Sequence, residues 1–368
     1  MENSSGLFPT VAAGNSPNPN GTEEYEYYED EHADLRASLN VMSMVLYSLA
    51  FLLGTTGNGL VIWITGFKMK KTVNTVWFLN LAIADFIFTV FLPLSIAYTA
   101  LDFHWPFGKF MCKLNSTIAF LNMFASVYIL AVISLDRCVA VVHPVWAQNH
   151  RSPKLASLVS LGVWLLALLL SSPYFAFRDT APGYYDKTVV ICFNNFAFSE
   201  DYDTPAVVQL RVVRHQAMVL ARFLLGFVLP FTVIVACYAV IAARLQRNRL
   251  ARSSKPFKVI AVVIIAFFLC WAPYHAFVLM EMVNHMTGQH SATLDHLTTI
   301  GIPITTSLAY LNSCLNPALY VFMGQDFKEK VKKSILAVFE NAFIEDSGQT
   351  ALGSNSRSKS KSTSEAEV

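Results

Sequence analysis

The sequence predicts an all-α membrane protein: a seven-transmembrane helix bundle with a short amphipathic eighth helix. Three observations predict it. Apolar residues make up 54% of the 368 positions and charged residues only 14%, against about a quarter charged in an ordinary soluble chain. The missing charges are missing from seven continuous runs, at 39–66, 74–101, 109–135, 154–176, 212–243, 257–283 and 297–322. Each is near or above the ~20 residues that cross a hydrocarbon core as helix, and none alternates as a barrel strand would. The charges outside the runs are sorted by side. So apolar a chain collapses rather than staying disordered, and a net charge of +2 indicates no nucleic-acid partner.

Residues 1–38 carry eight acids and a single Arg36, and read as a disordered acidic tail. Asn3 and Asn20 open N-glycosylation triplets. Tyr25, Tyr27 and Tyr28 lie among acids, either as a solvated tail or as a tyrosine-sulfated lure for a basic protein ligand. The tail holds no secretory signal peptide, so the first span is expected to serve as its own insertion signal. That span is followed by Lys68, Lys70 and Lys71, and the connection 244–258 holds six basic residues and no acid. The positive-inside rule makes both cytoplasmic. The net acidic connection 177–210 belongs outside with the N-terminus, and the C-terminus inside. Beyond the bundle, 39–324, come the amphipathic membrane-surface helix at 325–340 and a disordered Ser/Thr-rich tail at 341–368. Phosphorylation would make that tail strongly acidic, a site for a basic cytosolic partner.

Cys112 at the outer end of span three and Cys192 in the large outer loop face an oxidising compartment, which favours a bridge between them over two unrelated thiols. Cys138, Cys237, Cys270 and Cys314 read as small apolar fillers. Asp85 sits mid-span, where a carboxylate is costly and needs a partner or water. Asn58, Asn122 and Ser126, and Asn312, Ser313 and Asn316 recur at helical spacing as candidates. Such oxygens around one carboxylate suit a hard cation such as Na⁺ or a water cluster; interhelical hydrogen bonding alone is the other reading. Pro93, Pro173, Pro230, Pro273 and Pro317 interrupt five spans and permit kinks.

Several short motifs then stand in order: Asn58 in GN, Asp85 in LNLAIAD, Asp136-Arg137-Cys138, Trp271 and Pro273 in CWAP, and Asn316-Pro317 to Tyr320 in NPALY. Together with Cys112 and Cys192 they resemble the rhodopsin-like (class A) G-protein-coupled receptors over about 39–340. Within that family, KKTVNTVWFLNLAIADFIF, FHWPFGKFMCK, HPVWAQNHR, CFNNF and VFMGQDFK resemble the chemerin-receptor branch (chemokine-like receptor 1 and its close paralogue), with the formyl peptide receptors next. The resemblance implies a chemotactic peptide or protein ligand, chemerin-like, and an inhibitory-type G protein; a formyl-peptide or pro-resolving lipid mediator receptor, or a ligand-scavenging decoy, is the alternative. Arrestin and receptor kinases would act at the tail. It implies that Arg137 holds Asp136 at rest and swings to the G protein on activation. Trp271 would be the packing switch, and Tyr238 and Tyr320 would meet through water. Ser253 and Ser254 stand where some relatives place an acid to lock Arg137.

The ligand class follows partly by exclusion. Span seven contains no Lys for a retinal Schiff base, and the outer half of span three no acid for an amine. Arg222 and Glu281 each lie two turns, ~12 Å by helix rise, outward of Pro230 and Pro273. A buried Arg wants an anion, and its fork suits a carboxylate. Arg222, helped by Arg178, is therefore expected to take a peptide's C-terminal carboxylate; a ligand-silent pair with Glu281 is the alternative. Formyl peptide receptors carry a second Arg and an Asp where this chain has Met218 and Phe120, which favours the chemerin-like ligand. Asn115, itself a glycosylation triplet unusable at a helix start, and Thr306 are assigned to the cavity. Phe103, Trp105, Phe107, Phe193, Tyr274 and Phe277 would pack ligand side chains or simply pack the fold. No Ser/His/Asp or metal-ligand spacing recurs, so no enzyme is expected, and no inverted repeat indicates a transporter.

Overall fold

The computed structural model describes residues 33–183, 186–199, 204–248, 255–286 and 291–323. Asn3, Asn20, the three tail tyrosines, Ser253, Ser254, the 325–340 helix and the C-terminal tail lie outside them. Among the described residues the chain forms α1 (Ala33–Trp63), α2 (Val73–Ala100), α3 (Gly108–Val142), α4 (Pro144–His150), α5 (Pro153–Phe177), β1 (Arg178–Pro182), β2 (Val190–Asn194), α6 (Pro205–Phe223), α7 (Leu229–Asn248), α8 (Lys255–Met286) and α9 (Ala292–Met323). Two π-helical turns, Ile64–Lys68 and Leu224–Val228, extend α1 and join α6 to α7. Seven rods result. The bundle unit runs to Leu319, and Tyr320 begins a second unit.

Six rods are long and apolar enough to cross a membrane: Asp34–Lys68, Val73–Ala100, Gly108–Val142, Pro153–Phe177, Pro205–Arg244 and Ile260–Asn284. The seventh, α9, is not among them. The run predicted at 297–322 is diluted by Thr298, Thr299, Thr305, Thr306, Ser307, Asn312, Ser313 and Asn316, most of them buried. Several of these meet polar partners inside the bundle, while Leu297, Ile304 and Leu315 of the same helix are exposed. Small residues on α9 and on α1 allow close approach. A Cβ on Gly57 would touch Pro317 at 3.0 Å, and one on Gly301 would collide with the Phe277 ring.

Helix ends follow local chemistry. Thr72 caps α2 in a reciprocal box with Thr75, and Ser152 caps α5 ahead of Pro153. Rods run beyond the apolar runs because propensity does not stop where lipid does. The third extends to Val142, past the predicted 135, and the fifth starts at Pro205, before the predicted 212. Apolar runs alone do not announce α4, the β1–β2 hairpin or a second proline, Pro303, inside α9.

The fifth rod is not a simple α-helix. Pro230 has no N–H, and its ring would press on the carbonyl four residues back. The chain answers with a π turn, in which Leu229 N–H bonds Leu224 O. The Leu225 carbonyl is taken by Tyr128 Oη of α3 at 3.0 Å. One extra residue in a turn rotates everything before it by about 100°, which re-aims Arg222.

The hairpin is antiparallel, with Thr180 opposite Cys192. Cys192 bonds Cys112 of α3, Cα–Cα 5.8 Å. Lys109 pairs with Asp179 at 2.8 Å, Trp105 N–H donates to Val190 O at 2.7 Å, and Val190 N–H donates to His104 Nδ1 at 3.0 Å. Burial alone would raise the Asp179 carboxyl, but hydrogen bonds from Lys109, Thr180 N–H and Asn195, with the Lys109 charge, hold it below the ordinary carboxylate range.

Candidate functional site

Three clusters of polar side chains are buried along the bundle axis. The first lies toward the hairpin. Arg222 is 2% exposed and the largest of the fully buried side chains. Its guanidinium lies 5.2 Å over the Phe120 ring and 5.3 Å over Tyr274, and Phe120 stacks on Tyr174 at 3.6 Å. Aromatic faces steady a guanidinium through cation–π attraction. Glu281 on α8 is buried as well. Arg178 is buried at the hairpin's start and donates through Nη1 to Asn194 Oδ1 at 3.1 Å, its register partner. Asn115 donates to Ser95 Oγ at 3.2 Å. It borders a void of ≈10 Å³ shared with Phe88, Ser116 and Tyr310, about room for one water. Thr306 is buried on α9, and Tyr274 packs edge-on against Trp271.

The aromatic residues named from sequence divide. Trp105 is buried among Tyr98, Phe107 and the disulfide, and its Nε1 donates to Gly108 O at 2.9 Å. Phe103 packs edge-on to Tyr98. These two build the 101–107 loop that packs beside the disulfide. Phe193 sits half-buried on β2 opposite Asp179, and Phe277 half-buried against α9.

The second cluster surrounds Asp85, which is fully buried. Asn316 Nδ2 donates to Asp85 Oδ2 at 2.7 Å. The Asn122 amide turns its nitrogen to the carboxylate, since the opposite orientation would set oxygen against oxygen. It donates to Asp85 Oδ1 at 3.1 Å and Ser126 Oγ at 3.2 Å, and accepts from Ser313 Oγ at 2.8 Å. Asn58 donates to Ser313 O at 2.8 Å. All five residues expected around a cation, with Asn58 and Asn316, are buried here. Asn58 Oδ1, Asn316 Oδ1 and Asn312 Nδ2 are buried without a hydrogen-bond partner. Buried polar atoms without partners are rare, and two of these are oxygens, the ligand type a hard cation or water takes.

The third cluster lies at the other end of α3. Arg151, in the link between α4 and α5, grips Asp136 with a two-pronged contact: Nε to Oδ1 at 2.7 Å and Nη2 to Oδ2 at 2.9 Å. Arg137 is only 3.4 Å from Asp136 Oδ2. Both guanidiniums also donate to Asn74 Oδ1 of α2, Arg151 at 2.8 Å. The expected Asp136–Arg137 pair is therefore present but is not the main contact; Arg151 and Asn74 escape sequence reasoning. Nothing in one sequence joins residues 15 and 77 positions apart, and Arg151 beside His150 reads as a solvated base. Tyr238 Oη is buried and without a partner. The Tyr320 side chain lies outside the described ones. Trp271 is buried against Phe267, Tyr274 and His275.

Comparison with known proteins gives this arrangement its context. The family described as "7 transmembrane receptor (rhodopsin family)" matches residues 57–320. Chemerin-like receptor 1 of Mus musculus is 49% identical over 320 residues, 86% of this chain and 84% of that protein. Chemerin-like receptor 2 of Homo sapiens is 43% identical over 326 residues, 87% of this chain and 88% of that one. The C3a anaphylatoxin chemotactic receptor of Danio rerio is 43% identical over 347 residues, covering 91% and 90%. Receptors of this kind are not enzymes. With its seven rods, its bridged hairpin and its axial polar clusters, the chain belongs to the rhodopsin family of seven-transmembrane receptors.

Proposed function

We propose that the chain is a plasma-membrane receptor for a chemerin-like peptide or protein chemoattractant that signals through an inhibitory-type G protein. The observation that carries the ligand reading is Arg222: a charge 2% exposed, flanked by aromatic rings and set toward the hairpin end. A C-terminal carboxylate entering there would meet a preset guanidinium, and a charge-assisted, two-pronged contact in a dry site is worth more than one in water. Arg178, Asn115, Thr306, Tyr274, Phe277 and Phe193 supply the surrounding walls. Phe120, against Arg222 itself, stands where the formyl peptide receptors carry an Asp, which favours the chemerin-like ligand.

Orientation rests on charge. The acidic N-terminal tail and hairpin face out; the basic connections and the C-terminal tail, where arrestin and kinases would act, face in. Around Asp85 the donor set fits a Na⁺ ion, with the Asp85 carboxylate, Ser126 and Ser313 hydroxyls and the unpartnered Asn oxygens as its holders. Bound there, the ion would neutralise Asp85 and favour one helix packing.

The test is Arg222→Ala. Peptide potency should fall at least about tenfold, the loss of one charge-assisted contact, with surface expression retained. Unchanged potency removes Arg222 as the anchor. Arg222→Lys, which keeps charge but loses the fork, should fall between.

A further inference from the structure

We infer that Arg151 is a positioning residue of the activation switch: by holding both oxygens of the Asp136 carboxylate it keeps Arg137 only loosely bound and ready to leave. The inference rests on the proposed signalling function and deepens it. It starts from a charge count. Asp136 brings one negative charge, and Arg137 and Arg151 bring two positive ones, within one partly buried cluster. Side-chain exposures are 11% for Asp136 and Arg137 and 28% for Arg151. One guanidinium must be in surplus.

Geometry says which. Arg151 makes two parallel contacts with the carboxylate, at 2.7 and 2.9 Å, the strong form of this pair. Arg137 makes one, at 3.4 Å, and its Nε is buried with no hydrogen-bond partner. The neutral acceptor nearest it, Asn74 Oδ1, is shared with Arg151. Arg137 thus meets the carboxylate through one long contact, shares its amide acceptor, and has a like charge beside it. A buried cation in that condition gains by moving to any new acceptor.

Arg151 is anchored apart from α3. It ends α4, whose first turn starts at Pro144, and its N–H bonds Ala147 O at 2.9 Å. Ser152 then caps α5. The clamp therefore joins the α4–α5 link and α2 to the end of α3, and movement of that link would change which arginine holds Asp136. Removing Arg151 frees the carboxylate for Arg137, which is then gripped more tightly. The direction is counter-intuitive: deleting a partner of the switch should quiet the receptor.

The experiment measures nucleotide exchange on an inhibitory-type G protein, with purified full-length receptor, with and without a synthetic chemerin C-terminal peptide. Arg151→Ala should lower basal exchange and raise the peptide concentration for half-maximal exchange, each by about threefold or more, the scale of a partly exposed ion pair. Arg151→Lys, a point charge in place of the fork, should fall between. In an Asp136→Asn background, where neither arginine has a carboxylate, Arg151→Ala should change neither quantity. A role in folding alone would lower thermal stability equally in both backgrounds and leave exchange per folded receptor unchanged, which overturns the inference. So does an equal shift in both backgrounds, or a rise in basal exchange. A wild-type receptor that stimulates no exchange overturns the functional reading with it; stimulation by wild type that all Arg151 variants match overturns this inference alone.

Discussion

Arg222 and Asp85 are legible in the sequence alone, because a charge inside an apolar run is its own signal. What the run does not tell is where each charge points. Arg222 lies between Phe120 and Tyr274, and the second contact comes from α8, 52 positions along the chain. Asp85 meets Asn316 of α9 and Asn122 of α3. These partners are readable because Asn122 and Ser126, and Asn312 and Asn316, recur at helical spacing; which of them touches the carboxylate is not. Arg151 and Asn74 are illegible, since a base beside a loop and an amide at a helix start look solvated. At this scale Asp85 offers its own prediction. Asp85→Asn should abolish the sodium dependence of agonist binding, measured by radioligand competition in sodium and in a large-cation buffer. Native binding indifferent to sodium would end the cation reading and leave a hydrogen-bond cluster.

Elements are legible in kind and less so in detail. Long apolar runs mark seven rods, yet the π turn at Leu224–Val228 cannot be read from Pro230 alone, because a proline permits a kink, a bulge or a break. It matters because the added residue swings Arg222 about the helix axis. The hairpin is hidden for a different reason. Its strands are five residues each, too short for alternation to stand out, and are held by contacts from α3 and the 101–107 loop. The bridge that pins it is readable from compartment and position. Two results should follow. Cys112→Ala with Cys192→Ala should release the hairpin and lose peptide binding while the rods remain helical by circular dichroism. Because Asp179 has its carboxyl held low, the contribution of its pairing is fully present above the ordinary carboxylate value of about 3.9 and is lost only as pH falls through the lower folded value. Asp179→Asn, which removes the charge that pairs with Lys109, should therefore weaken the hydrogen-exchange protection of hairpin amides at pH 7. Unchanged protection in that variant would show that the Asp179 charge does not hold the hairpin.

Across the whole molecule, scarcity of charge is the organising fact. Tails and connections hold most of it, while the charged side chains buried among the described residues fall in three clusters. They form a column: Arg222 toward the hairpin, Asp85 in the middle, and Asp136 with Arg137 and Arg151 at the far end. Between the first and second stand Trp271, Pro273 and Tyr274; between the second and third, the unpartnered Tyr238 hydroxyl. On the proposed function, a ligand anion at one end and a G protein at the other would be two acceptors acting on one set of helices, each biasing the packing the other sees. The central claim is that this column carries a peptide signal. Its most direct test is nucleotide exchange on an inhibitory-type G protein by the purified receptor, offered in turn a chemerin C-terminal peptide, the same peptide amidated at its C-terminus, a formyl peptide and a lipid mediator. The free-carboxylate peptide should stimulate exchange, and the amidated form should need at least about tenfold more. Stimulation by the formyl peptide or the lipid alone, or by both peptide forms equally, would contradict the account.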